Sequence, residues 1–201
     1  MRNGDDHMSI ENKRGSLDIK KMVYLAILTA LVVILQYVSN ITAAVLPVPI
    51  TLTLVPIVLG SALSGRYSGV WLGFAFGVIV ILSGASEPFF TVNPVGTVIT
   101  VLVKGMASGL VAGLLYSLLE AKNRYLAILV AGIAAPIVNT GLFLVGCFVF
   151  FYDYVVSLSG GESLFVFIIT AFVGVNFLVE LGLNMLLSPT ILRILNIKKQ
   201  A

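Results

Sequence analysis

Charge is what this chain has least of. Aspartate, glutamate, lysine and arginine make up 10% of its 201 residues, against about 25% in ordinary globular domains. A water-soluble coat needs more. With 59% hydrophobic residues and a mean hydropathy of +1.08, the apolar surface exceeds what one small core can hide, so lipid has to cover much of it. Other scarcities exclude whole chemistries. A single cysteine, Cys147, rules out an internal disulfide framework and thiolate metal clusters. The single histidine, His7, stands in the polar N-terminal segment, so the apolar body can form neither a histidine-based triad nor an H-E-x-x-H zinc site. No G-x-x-x-x-G-K-[ST] loop occurs, so any work drawn from ATP has to come from a partner. No metal or cofactor is expected. The pI near 9.1 reflects basic residues at the edges of apolar runs, where membrane orientation explains them and nucleic-acid binding does not.

What is present is a series of apolar runs. Residues 1–21 are polar, carry both signs of charge and show no apolar periodicity; they read as a short cytoplasmic tail. The run from Met22 is about 18 residues long and is followed by many more, so it reads as a retained first span and not as a cleaved signal. Breaks near Asn40–Pro49, Ser64–Ser68, Gly84–Pro94, Glu120–Arg124 and Tyr152–Ser163 divide the rest. The expected helices cover about 22–39, 50–64, 68–83, 95–119, 125–150 and 164–187. The second and third are short for a hydrocarbon layer of ~30 Å, and a competing reading fuses them into one re-entrant hairpin. Charge decides between the two. With the N-terminus inside, the cytoplasmic side receives Arg2, Lys13, Arg14, Lys20, Lys21, Arg66, Lys122, Arg124, Arg193, Lys198 and Lys199, while the outer loops hold only Glu87, Asp153 and Glu162. The expectation is an all-α integral membrane bundle of six transmembrane helices over 22–201, with both termini cytoplasmic.

Two stripes, Gly69-x-x-x-Gly73-x-x-x-Gly77 and Gly105-x-x-x-Gly109-x-x-x-Gly113, predict close helix packing. Ala26-x-x-x-Ala30 is a smaller pair of the same kind on the first span.

The twelfth basic residue, Lys104, falls inside the fourth span, about 15 Å from its outer end at helical rise. At such depth it needs a partner, a wet cavity or an anionic ligand. Thr97, Thr100 and Ser108 share its face. Asn139 and Thr140 lie mid-way along the fifth span beside Pro136; Asn176, Glu180 and Asn184 follow one another at i, i+4 and i+8 in the sixth. In antiparallel order Lys104, Asn139 and Asn176 reach about the same depth, with Glu180 roughly 6 Å deeper. The pattern admits a structural Lys104–Glu180 ion pair glued by amides, or an outward-facing pocket for a small polar solute. Asn93-Pro94 predicts an N-cap with proline at the first helical position, and Phe89, Phe90 and Thr91 precede it as closing groups. Pro47-Val48-Pro49 stiffens the first outer loop.

A chain of about 200 residues with six spans, Ala26-x-x-x-Ala30 and no ATPase motif resembles the substrate-binding S component of energy-coupling factor (ECF) vitamin transporters. The resemblance covers residues 22–195. The stretch PITLTLVPIVLGSALSGRYSGVWLGFAFG, from Pro49 to Gly77, is similar to the corresponding part of the family's riboflavin, pantothenate and folate members. It implies a cell-membrane binding protein that is not an enzyme, captures a vitamin from outside, docks on a transmembrane scaffold subunit driven by two cytoplasmic ATPases, and topples to release its cargo. It also implies scaffold contact through Ala26 and Ala30, a lid at Pro47, Val48 and Pro49, and ligand contacts at Asn93, Lys104, Asn139 and Asn176. Thr97, Thr100 and Glu180 join that set by their place on the polar faces; Glu180 matches no family motif. A cation over amides suits a carboxylate, which ranks pantothenate slightly above riboflavin. Trp71 offers no stacking platform, although Phe89, Phe90, Tyr37 and Tyr152 stay open as one.

Two other readings compete. A self-sufficient carrier would use Glu180 as its proton-coupling carboxylate, but the two halves lack an inverted repeat. An intramembrane hydrolase would need a Ser108–Lys104 dyad, which one helical turn of spacing does not by itself create.

Overall fold

The computed structural model describes residues 3–45, 52–168, 170 and 174–200, with side chains described for 19–42, 52–168, 170, 174 and 177–196. Among the described residues the regular secondary structure is all helical, without strands. The helices are α1 (Asn3–Val45), α2 (Leu54–Ser64), α3 (Arg66–Leu82), α4 (Glu87–Val92), α5 (Pro94–Leu119), α6 (Arg124–Phe150), α7 (Tyr152–Leu158), α8 (Leu164–Phe167) and α9 (Gly174–Gln200).

Among the described residues four segments are long and apolar enough to cross a membrane: Ile19–Thr42, Pro94–Leu119, Arg124–Phe150 and Phe177–Asn196. The protein is thus a multi-pass membrane protein. Helices α2 and α3, with 11 and 17 residues, extend only about 17 and 26 Å at 1.5 Å per residue, less than a hydrocarbon layer of ~30 Å.

The expected boundaries hold closely for α3, α5 and α6 and shift elsewhere. The N-terminal segment, expected as a polar tail outside the first helix, is helical from Asn3. Its sequence contains no proline and leads directly into the apolar run, so helix propagation meets no stop. The last helix, expected over 164–187, is helical from Leu164 as α8 and again, among the described residues, from Gly174 as α9, which runs on to Gln200. Pro189 does not end it, because a proline inside a membrane helix is tolerated where neighbouring groups take up freed backbone positions. In the turn before the proline, Ser188 Oγ donates to the Asn184 carbonyl at 2.7 Å, whereas the carbonyl that Pro189 leaves without an N–H is that of Met185. The breaks at Gly84–Pro94 and Tyr152–Ser163 contain the short helices α4 and α7.

Glycine sets the packing of α3 against α5. A methyl group built at Gly73 lands on the Gly105 carbonyl, and one built at Gly109 lands on that of Gly69. In lipid no hydrophobic force drives helices together, so this backbone proximity and its dispersion energy hold the pair. Ser61 Oγ ties α2 to the same seam, donating to the Gly109 carbonyl at 3.0 Å. We expect Gly73→Leu to force α3 and α5 apart, at a cost of about 3 kcal/mol, the upper end for overpacking. A lowered melting temperature in detergent checks this; an unchanged one removes the glycine seam as the determinant of packing.

The same contacts define direction. Gly69, Gly73 and Gly77 meet Gly109, Gly105 and Val101 in reverse order, so α3 and α5 are antiparallel. Trp71 Nε1 donates to Thr29 Oγ1 at 3.2 Å, and Asn40 Nδ2 to the Ser83 carbonyl at 3.3 Å, so α1 and α3 run in parallel. One end of the bundle therefore gathers the C-terminal ends of α1, α3 and α6 with the start of α5.

Candidate functional site

At that end the helices enclose a cavity of about 530 Å³, within the ~300–1,000 Å³ usual for small-molecule sites. Its polar lining comes from four long helices, with Gln36, Ser39 and Asn40 of α1, Thr97, Thr100 and Lys104 of α5, Asn139 and Thr140 of α6 and Glu180 of α9, and from Ser83 and Ser86 in the turn between α3 and α4. Phe76, Phe89, Phe143 and Phe151 supply apolar wall.

Helix α5 is started cleanly, which sets the register of its polar face. Asn93 Oδ1 accepts from Gly96 N at 2.9 Å as the N-cap, and Pro94 follows where no N–H is needed. From that cap Thr97, Thr100 and Lys104 descend on one face. Thr97 Oγ1 donates to the Asn93 carbonyl at 2.9 Å. Thr100 fits into room left by the missing side chain of Gly146 on α6. It is 6% exposed, and its hydroxyl has no hydrogen-bond partner among the described residues. Lys104 is half-buried. Its Nζ lies 5.0 Å from the centre of the Phe143 ring and 6.0 Å from that of Phe76. Such faces attract a cation without giving its N–H groups an acceptor.

Asn139 is 8% exposed, and its Oδ1 is likewise without a partner among the described residues. Buried polar atoms are nearly always satisfied, and these two oxygens stand in the wall, closed off from the cavity space itself. Glu180, 6% exposed, reaches the same cavity from α9. Below it Asn184 Nδ2 donates to the Glu180 carbonyl at 2.9 Å.

The chain belongs to the ECF transporter family of substrate-specific components. That family's model matches residues 20–192. No match was found among curated proteins or among solved structures. Membership makes the ECF component a membrane transport subunit with a small-molecule substrate and partners within an ECF transporter, and a transporter part in place of an enzyme. Ser108, wholly buried, donates its hydroxyl to the Gly105 carbonyl at 2.8 Å and does not line the cavity.

In this ECF component the fold brings together Thr97, Thr100, Lys104, Asn139 and Glu180. It leaves Asn93 out, since its side-chain oxygen is committed to the α5 cap and it does not face the cavity. The side chain of Asn176 and the loop residues Pro47, Val48 and Pro49 lie outside the described residues. Of the candidate aromatic platforms only Phe89 reaches the cavity, held edge-on by Phe143, Phe151 and Tyr154 at ring distances of 5.4, 5.1 and 5.6 Å. Phe90, Tyr37 and Tyr152 are exposed elsewhere. Trp71, 50% exposed, is on the outer surface of α3.

Sequence reading missed the contribution of α1. Gln36 Nε2 donates to Asn40 Oδ1 at 2.9 Å, and Asn40 in turn reaches the α3 terminus. Gln36, Ser39 and Asn40 at i, i+3 and i+4 near the end of an otherwise apolar helix were the available signal.

Proposed function

We propose that this chain is the vitamin-capturing subunit of an ECF-type ABC importer. It spans the cell membrane six times with both ends in the cytoplasm, takes a small water-soluble vitamin from outside, and hands it to a scaffold subunit driven by two cytoplasmic ATPases. The observation that carries the reading is the cavity of about 530 Å³ that Lys104, Thr100, Asn139 and Glu180 line together. Placing the basic residues inside puts this cavity at the outer end. Lys104 supports a carboxylated vitamin, pantothenate ahead of riboflavin.

Ala26 and Ala30 are exposed on α1 and face away from the cavity, which suits them to the scaffold contact. Pro47, Val48 and Pro49 are assigned as the lid, between α1 and α2.

Reconstitution tests the reading. The purified chain alone in vesicles is expected to bind vitamin without moving it, and uptake is expected only when scaffold, ATPases and ATP are added. Transport by the chain alone down a proton gradient would overturn it in favour of a carrier coupled through Glu180. Mass spectrometry of the small molecule that co-purifies identifies the vitamin.

A further inference from the structure

Helix α1 buries a single stripe, and the stripe changes character along its length. Leu28 and Val32 lie in the apolar core with residues of α2 and α3, whereas Gln36 and Ser39, 5% and 3% exposed, carry the same face on as cavity wall. Among the described residues α1 packs on α2 and α3 and hardly touches α5, α6 or α9, because the cavity lies between. Two long hydrogen bonds tie its outer half to those neighbours. Asn40 Nδ2 donates to the Ser83 carbonyl at 3.3 Å, and Gln36 Oε1 accepts from Thr53 Oγ1 at 3.5 Å. In lipid no hydrophobic force draws helices together, so the outer half of α1 depends on whatever fills the space beside it.

We propose that the guest is the missing packing partner of α1: by bridging Gln36 and Ser39 to Lys104 and Thr140 across the cavity it fixes the tilt of α1, and so couples occupancy to scaffold docking. The inference rests on the vitamin-capture reading and adds its regulation. From Ser16 to Val45 the helix contains neither glycine nor proline, the usual sites of a kink, so its two halves tilt as one rod. Ala30 stands six residues before Gln36, about 9 Å along the axis, on the outward side. A small-residue face binds by close backbone approach, which needs that backbone held still. A guest that has already ordered α1 spares docking this entropy, so the loaded chain docks more tightly than the empty one. By linkage, the docked scaffold tightens the vitamin by the same factor.

The test titrates the full chain against the scaffold and ATPase complex in nanodiscs without ATP, alone and with saturating pantothenate or riboflavin. One of the two vitamins is expected to tighten docking about tenfold, within the range usual for coupled sites, and the complex to tighten that vitamin equally. Gln36→Leu with Ser39→Ala is expected to bring the factor to within about twofold of unity in both directions. Should that double variant not fold, Ser39→Ala alone is expected to lower the factor at least about threefold. A second measurement needs no scaffold. Spin labels on Ile41→Cys and Val149→Cys, exposed near the outer ends of α1 and α6, in a Cys147→Ala chain, are expected to show a broad distance distribution when empty and a narrow one with vitamin.

Docking that neither vitamin changes overturns the proposal. So does a coupling factor that survives Gln36→Leu with Ser39→Ala, or a label distance equally broad in both states. Scaffold-dependent uptake without any coupling overturns it and leaves vitamin capture standing. Coupling in a chain that also transports unaided does the opposite.

Discussion

Lys104→Met is expected to weaken binding of an anionic vitamin by roughly 100-fold, the loss of one or two charge-assisted hydrogen bonds at about 1.5–3 kcal/mol each. The reason is positional. Lys104 lies ten residues into α5 from Pro94, about 15 Å by helical rise, and its described neighbours at the cavity include two phenylalanine rings. A ligand carboxylate supplies the acceptor that those rings do not. Methionine keeps the length and the apolar stem, so the bundle itself should persist and expression should be unchanged. Isothermal titration with pantothenate reads the loss, and a thermal melt without ligand checks the fold. Unchanged affinity returns Lys104 to a structural role.

The second large effect is expected at a surface that never touches the cavity. Ala26→Leu combined with Ala30→Leu should reduce ATP-dependent uptake to background while vitamin affinity stays within about twofold. Both alanines stand exposed on α1, one turn apart and in line with Val23, Ile27 and Ile34. In lipid a small-xxx-small pair gains its value by letting another backbone come close, and two leucines hold that backbone off. Uptake assays in vesicles with the full transporter, alongside binding to the isolated subunit, separate the two. Undisturbed uptake removes the scaffold assignment from this face.

Much of this protein is legible before any coordinates, and the legible part has a common cause. Helix α5 was read to within one residue, because Asn93-Pro94 combines a capping side chain with a residue that needs no hydrogen of its own. The glycine stripes announced the α3–α5 contact because their spacing follows the helical repeat. The end of α9 was expected at residue 187, just before Pro189, whereas α9 runs on through that proline to Gln200, as membrane helices tolerate.

The site divides in the same way. Lys104, Asn139 and Glu180 stand out in sequence, since a polar group in a long apolar run carries a solvation cost that has to be offset somewhere. Gln36, Ser39 and Asn40 did not stand out, being close enough to the end of their span to pass as ordinary boundary residues. Composition and the spacing of charge determined that this chain lives in a membrane, and helical period determined which of its faces are polar or small. Only the tertiary structure decided that four polar faces from α1, α5, α6 and α9 meet around one cavity, and that Asn93 is spent on a cap while Phe89 lines a wall. The physical reason is that periodicity sets where a side chain points about its own helix axis, whereas which helices stand side by side is set by packing between segments far apart in the chain.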